Sequence, residues 1–148
     1  MGIFDFLKKT ASNHIYEANK SKTIGGKTLA QWDSHWCYLG MLKDVQGNIG
    51  HLNKSVGLYR ARLDGEIVYI GRAIEYNNGG LRKRLTDYVR KSESSRGTNS
   101  SNNMNIHKDR LSIEVLVIGE GEEAARITKM LEPMMIAKYR PKWNKQFM

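Results

Sequence analysis

The chain has 148 residues, of which 40% are hydrophobic and 26% charged, a composition typical of one compact domain with a core of its own. Its 24 Lys and Arg residues outnumber 15 Asp and Glu residues, for a formal net charge of +9, which favours an anionic partner such as nucleic acid. No apolar run approaches the roughly 20 residues of a membrane span, so we expect no membrane partner.

A single cysteine, Cys37, excludes a disulfide within the chain, and the first nine residues lack the charged start and apolar stretch of a secretory signal. We therefore expect a reducing, cytoplasmic setting. The four histidines do not have the spacing of a metal site and are assigned no role: His14, His35, His51 and His107.

Residues 1–54 are interpreted as an N-terminal extension that packs on a body formed by residues 55–148. Within the extension, Thr28 and Gln31 have the spacing of a capping box and predict a short helix. Two tryptophans continue the helical spacing, and we expect both to be buried in packing because their neighbours are not basic: Trp32 and Trp36.

Two strands are predicted over residues 56–63 and 67–71, which are rich in β-branched, aromatic and apolar side chains. Asp64 and Gly65 between them are typical of a hairpin turn. A helix is predicted over residues 79–91, because three apolar residues recur at helical spacing: Leu81, Leu85 and Val89.

Residues 92–107 are dense in Ser, Asn and Gly and predict a mobile loop. The segment is either a disordered insertion or a loop that orders around nucleic acid, since basic residues flank it: Arg90, Lys91, Lys108 and Arg110.

A third strand is predicted over residues 111–118, where apolar residues alternate with mixed ones. A helix follows, and acidic residues complement its positive end: Glu120, Glu122 and Glu123. Pro133 interrupts its pattern, so we predict a kink or a break, with Pro133 at the start of a second helical piece.

Several blocks of the chain resemble, in the same order, the motifs of GIY-YIG nucleases. Gly57-Leu58-Tyr59 and Tyr69-Ile70-Gly71 match the two halves of the signature. Further matches follow along the chain: Arg72, Leu81, Arg84, Tyr88, Glu132 and the terminal run that ends in Asn144. The resemblance implies an α/β (α+β) fold with a three-stranded, largely antiparallel sheet flanked by helices.

The resemblance also implies hydrolysis of DNA phosphodiester bonds with one divalent ion, Mg²⁺ or Mn²⁺, bound by Glu132. Tyr59 would take the proton from the attacking water, and Tyr69 would assist by hydrogen bonding. Arg84 would clamp the scissile phosphate with its planar fork, and Arg72 would add a second positive charge.

Further positions match the family motifs. Tyr88 occupies a position held by His or Tyr among relatives, and Asn144 would tie the metal-site region to the sheet. Gly71 would let the backbone approach the phosphate without a side chain in the way. Additional nucleic-acid contacts are expected from basic side chains: Arg82, Lys83, Lys91 and Lys142.

Strand alternation constrains how the two tyrosines can share a site. With a two-residue turn at Asp64-Gly65, Tyr59 and Tyr69 would point to opposite faces of the sheet. The nuclease interpretation therefore requires an odd loop, most simply residues 63–65 with Gly65 left-handed in a bulge, which places Tyr59 opposite Tyr69.

Two features depart from the family pattern, namely Pro133 after the metal-binding glutamate and the insertion Asn77-Asn78-Gly79-Gly80 before the helix. Alternative functions are a catalytically silent nucleic-acid-binding module, and an RNA-directed nuclease or delivered toxin. The sequence identifies no protein partner.

Overall fold

The computed structural model describes residues 3–19, 21–90 and 99–144 of the chain. Its helices and strands in chain order are α1 (Ile3–Asn19), β1 (Thr23–Ile24), β2 (Lys27–Thr28), α2 (Leu29–Asp33), β3 (Cys37–Met41), β4 (Ser55–Leu63), β5 (Glu66–Ala73), α3 (Gly80–Val89), α4 (Asn99–Ile106), β6 (Leu111–Glu120) and α5 (Gly121–Tyr139). Two 3₁₀ segments, Leu42–Asn48 and Gly50–Leu52, connect β3 to β4. Within these ranges, no helix is long and apolar enough to cross a membrane.

The main sheet is antiparallel throughout and has the strand order β3-β6-β4-β5. The prediction of an antiparallel sheet flanked by helices is confirmed, but the sheet has four strands rather than three. The added strand, β3, comes from the N-terminal extension and pairs with β6. Gly40 and a mixed pattern of polarity conceal this strand in the sequence, because its stability comes from pairing with β6 rather than from local propensity.

Each face of the sheet is covered by its own layer. On one face, Tyr59 and Ala61 pack with residues of α3 and α4 and with the 3₁₀ segments. On the other face, Leu58 and Ile70 pack against α2 and α5. Because neighbouring residues of a strand point to opposite faces, one pair of strands contributes to both cores.

The β4–β5 hairpin brings both tyrosines to one face by a route that differs from the prediction. Leu63 pairs with Glu66, so the turn at Asp64-Gly65 has two residues, both with positive φ. The extra residue is Val68, which bulges because Ala61 pairs with Tyr69 while Arg62 pairs with Ile67. The predicted register was therefore wrong: Tyr59 lies opposite Gly71 rather than opposite Tyr69.

The predicted capping box and short helix in the extension are confirmed. The amide of Gln31 donates to Oγ1 of Thr28 at 3.2 Å, and the amide of Thr28 donates to Oε1 of Gln31 at 2.8 Å. Trp32 is 6% exposed, and its indole N–H donates to the carbonyl of Ile24 at 2.7 Å. Trp32 is therefore part of the packing, as expected.

A polar network joins α2 to the end of α5 on the face opposite α3. The carboxylate of Asp33 accepts hydrogen bonds from Nζ of Lys138 at 2.5 Å, from the hydroxyl of Tyr139 at 2.6 Å and from the indole of Trp36 at 2.8 Å. Burial by itself would raise the pKa of Asp33, but these hydrogen bonds outweigh it and hold the pKa below its ordinary value. Asp33 is therefore an ionised anchor of the N-terminal extension.

The predicted loop over residues 92–107 contains a helix in its second half. α4 begins at Asn99 and buries Met104 completely, while the side-chain amide of Asn105 donates to the carbonyl of Tyr88 at 2.7 Å. One apolar side chain and one amide therefore attach a polar helix to α3, and a loop over the whole segment is wrong. The first half, residues 91–98, lies outside the described residues.

The long helix α5 continues through Pro133. Of the predicted kink or break, the break is therefore wrong, and Pro133 does not start a second helical piece. Proline has no N–H to donate to the carbonyl four residues earlier, and its ring crowds the preceding turn. Buried residues on both sides of Pro133 hold the helix against the sheet, including Leu131 and Met135. Tertiary packing therefore overrides the local preference and keeps Glu132 inside a continuous helix.

Candidate active site

Three phenols meet on the α3 face of the sheet. Tyr59 comes from β4, Tyr69 from β5 and Tyr88 from α3. The hydroxyls of Tyr59 and Tyr88 are 2.5 Å apart, and Tyr88 also interacts electrostatically with Tyr69. The ring centroid of Tyr59 lies 6.1 Å from that of Tyr69 and 5.8 Å from that of Tyr88. The cluster therefore brings Tyr59 of β4 and Tyr69 of β5 together with Tyr88 of α3.

The three phenols differ in their access to solvent. Tyr59 is 1% exposed, whereas Tyr69 is only partly buried. Burial, together with the neighbouring phenols, raises the pKa of Tyr59 well above its ordinary value of 10.0. Burial also raises the pKa of Tyr69, and the neighbouring Tyr88 phenol and Glu132 carboxylate raise it further. At neutral pH the phenols are therefore protonated, and Tyr69 is more accessible than Tyr59 to a group that binds from outside.

Gly71 is buried beneath the ring of Tyr59. A Cβ atom at this position would lie 2.4 Å from the hydroxyl oxygen and 2.5 Å from Cζ of Tyr59, and 2.8 Å from Cε2 of Tyr69. Such distances are far shorter than van der Waals contact. Where the sequence predicts a close approach of the phosphate to this backbone, the structure has the Tyr59 ring.

Arg84 stands at the edge of the phenol cluster. Its Nη2 atom donates to Oε1 of Glu75 in a short ion pair, and the guanidinium interacts electrostatically with the phenols of Tyr59 and Tyr88. The side chain of Arg84 is 37% exposed, so part of its fork faces solvent. Glu75 was missed by the sequence analysis, because a single carboxylate in a connecting segment has no periodicity that would reveal it.

Glu132 reaches the cluster from the opposite layer. Its carboxylate lies 3.4 Å from Nη1 of Arg72, and its side chain is only 10% exposed. Burial raises the pKa of Glu132, while the positive charges of Arg72 and Arg84 act in the opposite direction. Tyr69, Arg84 and Glu132 act electrostatically on one another, so side chains from β5, α3 and α5 lie near one another at this edge of the sheet.

Asn144 fastens the chain after α5 to the outer strand of the sheet. Its side-chain amide donates to the carbonyl of Ile70 at 2.7 Å and its side-chain oxygen accepts from the amide of Ile70 at 2.9 Å. The amide of Trp143 donates to the carbonyl of Val68 at 2.9 Å. These contacts bracket Tyr69 on both sides along the strand.

The donor set at this edge fits a hard divalent ion only with help from water and substrate. Within residues 3–19, 21–90 and 99–144, no three His, Cys, Asp or Glu side chains converge to hold a metal ion. Glu132 supplies a mostly buried carboxylate with the Arg72 guanidinium 3.4 Å away, and burial outweighs the nearby positive charges in raising its pKa. Mg²⁺ is commonly bound by one or two carboxylates while it keeps several waters, so Glu132 fits such an ion.

The basic residues predicted to contact nucleic acid lie in different places. Arg82 and Lys83 are exposed on α3, where Lys83 pairs with Asp87 at 3.5 Å. Lys142 is exposed beyond α5, and its Nζ atom lies 4.0 Å from Glu66. Lys91 lies outside the described residues.

No protein-family model matches the chain, and a search of curated proteins finds no match. Among solved structures, the chain is similar to the GIY-YIG N-terminal endonuclease domain of UvrC from Thermotoga maritima bound to magnesium, with 27% identity over 63% of this chain and 86% of that chain, at a TM-score of 0.46. It is also similar to two point mutants of that domain, each 26% identical over 64% of this chain and 87% of the other, at TM-scores of 0.46 and 0.45.

Proposed function

We propose that this chain is a GIY-YIG-type endonuclease that hydrolyses phosphodiester bonds of DNA with one divalent ion. The observation that carries the proposal is the convergence at one sheet edge of phenols, guanidiniums and a carboxylate from β4, β5, α3 and α5. Phosphodiester hydrolysis requires a polarised nucleophile, cations for the phosphate oxygens and stabilisation of the leaving oxygen. These side-chain types supply all three.

Arg84 and Arg72 are the residues proposed to bind the scissile phosphate. A guanidinium presents donors in a planar fork that matches two phosphate oxygens and stays charged at any working pH. Arg84 is 37% exposed and Arg72 is 41% exposed, so both can reach a substrate at the surface. Their positive charges would also stabilise the charge that develops on the phosphate in the transition state.

Tyr69 is proposed to contact the attacking water. Its hydroxyl lies in the cluster with Tyr88, and its side chain is more accessible than that of Tyr59. The Tyr69 hydroxyl would accept a hydrogen bond from this water and orient it. The water oxygen would form a bond to phosphorus while the bond from phosphorus to the 3′ oxygen breaks; the water would give its proton to solvent, and the 3′ oxygen would take a proton from solvent. The hydrogen bond between Tyr59 and Tyr88 would hold these phenols in place.

Glu132 is the residue proposed to hold Mg²⁺ or Mn²⁺. When bound, such an ion would neutralise phosphate charge and ease the ionisation of water. Arg72 contacts the same carboxylate and would keep it oriented toward the site. Helix α5 continues through Pro133, so Glu132 lies within regular helix rather than at a helix end.

The charge of the chain supports a nucleic-acid substrate. The formal net charge is +9, and exposed basic residues lie on α3 and just beyond α5: Arg82, Lys83 and Lys142. Each phosphate that such a side chain neutralises releases counterions and adds affinity that falls with salt.

A cleavage panel tests the proposal. Supercoiled plasmid, duplex and single-stranded DNA, and single-stranded RNA are incubated with Mg²⁺, Mn²⁺ or chelator, and binding is measured on the same substrates. We expect DNA cleavage with either metal and none with chelator. Binding without cleavage under every metal would support a silent binding module, and cleavage restricted to RNA would support an RNA-directed nuclease.

A further inference from the structure

Glu75 is a charged residue at the proposed site that the mechanism above does not use. Both of its carboxylate oxygens are engaged: Oε1 accepts from Arg84, and Oε2 accepts from the backbone amide of Ile74 at 3.0 Å. The charge of Arg84 also lowers the pKa of Glu75 against the effect of burial. Because both oxygens already have donors, Glu75 is a partner for a cation in the protein rather than a free ligand for a metal.

The backbone around Glu75 is fixed by the connection between β5 and α3. The carbonyl of Glu75 accepts from the amide of Asn78 at 3.0 Å and from the amide of Gly80 at 3.1 Å. Gly80 has a φ of +49°, and a Cβ atom there would lie 2.2 Å from the carbonyl oxygen of Ser55. The insertion that departs from the family pattern, residues 77–80, therefore closes a tight turn that presents the Glu75 side chain to Arg84.

We propose that Glu75 is a positioning residue, which holds the Arg84 guanidinium at the edge of the phenol cluster so that the free part of its fork meets the scissile phosphate. This inference rests on the proposed nuclease function. Glu75 holds Nη2 of Arg84 through the ion pair, and the Tyr88 phenol acts electrostatically on the same guanidinium, so Glu75 is the side chain that fixes the position of the fork. A cation oriented before the substrate arrives loses less freedom when it binds phosphate.

The ion pair between Glu75 and Arg84 is expected to contribute little to the stability of the fold. The side chains of Glu75 and Arg84 are 39% and 37% exposed, and ion pairs of such exposure contribute little to folding. Removing Glu75 should therefore leave the unfolding transition almost unchanged. Its effect should fall on cleavage, where a displacement of about 1 Å in a catalytic group lowers the rate by as much as about 100-fold.

A double-mutant cycle tests the proposal. We measure kcat and KM on a DNA substrate for the wild type, Glu75→Ala, Arg84→Ala and the double variant. Glu75→Ala should lower kcat by about 10-fold to 100-fold with KM nearly unchanged, and should have no further effect once Arg84 is absent. Glu123→Ala is the matched control, since it removes an exposed ion pair with Arg126, neither member of which has a role in the proposed mechanism, and should leave kcat as in the wild type.

Binding in chelator separates positioning from a general loss of structure. Without Glu75, a duplex DNA probe should bind as tightly as before or more tightly, because a negative charge beside the phosphate site is gone. Weaker binding together with weaker cleavage would overturn the proposal. An equal fall in kcat on Glu75→Ala with and without Arg84, or a rise in kcat, would also overturn it. If the wild type cleaves no substrate, the proposed function itself fails and the positioning role falls with it.

Discussion

The ring of Tyr59 occupies the space that a side chain at Gly71 would need, with its hydroxyl oxygen 2.4 Å from the position of a Cβ atom there. The two residues are partners across the β4–β5 ladder. The tyrosine of the first half of the signature and the glycine of the second half are therefore one packing contact. The Tyr59 ring fits only because residue 71 has no side chain, and this steric requirement holds whether or not either residue takes part in catalysis.

Gly71→Ala should displace the Tyr59 ring and disrupt the site. The added Cβ would overlap the phenol at two atoms, and overpacking of this kind costs about 1–3 kcal/mol of unfolding free energy. Urea unfolding and cleavage should both report the loss. Gly47→Ala is the control, because a Cβ at that position meets nothing within 4 Å; equal behaviour of the two variants would contradict the packing role.

Tyr69→Phe and Tyr59→Phe should have different consequences. If Tyr69 contacts the attacking water, its loss should lower kcat by about 100-fold or more with little change in stability. Tyr59→Phe removes a buried hydrogen bond to Tyr88, so we expect a loss of about 1 kcal/mol in stability and a smaller fall in kcat. Single-turnover cleavage and urea unfolding measure the two effects. Retention of full activity by Tyr69→Phe would refute the contact of Tyr69 with the attacking water.

Glu132→Gln should abolish cleavage with Mg²⁺ and with Mn²⁺ while the fold persists. The substitution removes the carboxylate proposed to hold the ion, and titration calorimetry with Mn²⁺ should show the loss of binding. In chelator the variant should be at least as stable as the wild type, because burial raises the pKa of Glu132 and its charged form is costly to bury. Wild-type activity in this variant would refute the metal assignment.

Asn144→Ala should loosen β5 beside the site. The two backbone groups of Ile70 would lose their partners, at a cost of about 1–3 kcal/mol. Faster hydrogen exchange at the Ile70 amide, together with weaker cleavage, is the expected result because Tyr69 is the preceding residue. Lys142→Ala, two residues earlier, leaves the amide contact intact and should not change exchange at Ile70.

Acid should weaken the attachment of the N-terminal extension through Asp33. Its pKa is lowered in the folded protein, so the unfolded chain binds the proton more readily, and the stabilisation present at neutral pH is lost as pH falls below the ordinary aspartate pKa toward the lower pKa of the folded state. Asp33→Asn should cost about 3 kcal/mol at neutral pH, and the difference from the wild type should shrink in acid. Denaturant unfolding across this range measures it, with exposed Asp44→Asn as the control; a difference that does not depend on pH would contradict the assignment.

Periodicity was sufficient to predict the elements that bury an apolar face. Leu81 and Leu85 are fully buried on α3, as their spacing indicates, and Asp64-Gly65 forms the hairpin turn. Strand alternation also predicted that the hairpin contains one residue outside the regular ladder if Tyr59 and Tyr69 are to lie on the same face. Alternation could not say where this extra residue lies, because a bulge at Val68 within β5 and a bulge in the turn both place Tyr69 on the same face as Tyr59.

Contacts between distant segments account for what the sequence did not reveal. Pro133 is tolerated inside α5 because tertiary packing holds the helix, and local propensity carries no information on that packing. The ion pair of Glu75 with Arg84 depends on a turn closed by Gly80 against Ser55. Neither residue type nor spacing marks Glu75 as part of a site.

The strand β3 forms one border of the main sheet, and it is poorly suited to recruit another strand. It has five residues, its pairing is interrupted between Tyr38 and Gly40, and the carbonyl of Leu39 already accepts a hydrogen bond from Asn48. A chain shortened to begin at Ser55 would move this border to β6, whose ten residues would then offer bare backbone groups to a second molecule. Such a fragment would keep all the proposed catalytic side chains and yet tend to precipitate, since long uncovered borders template aggregation.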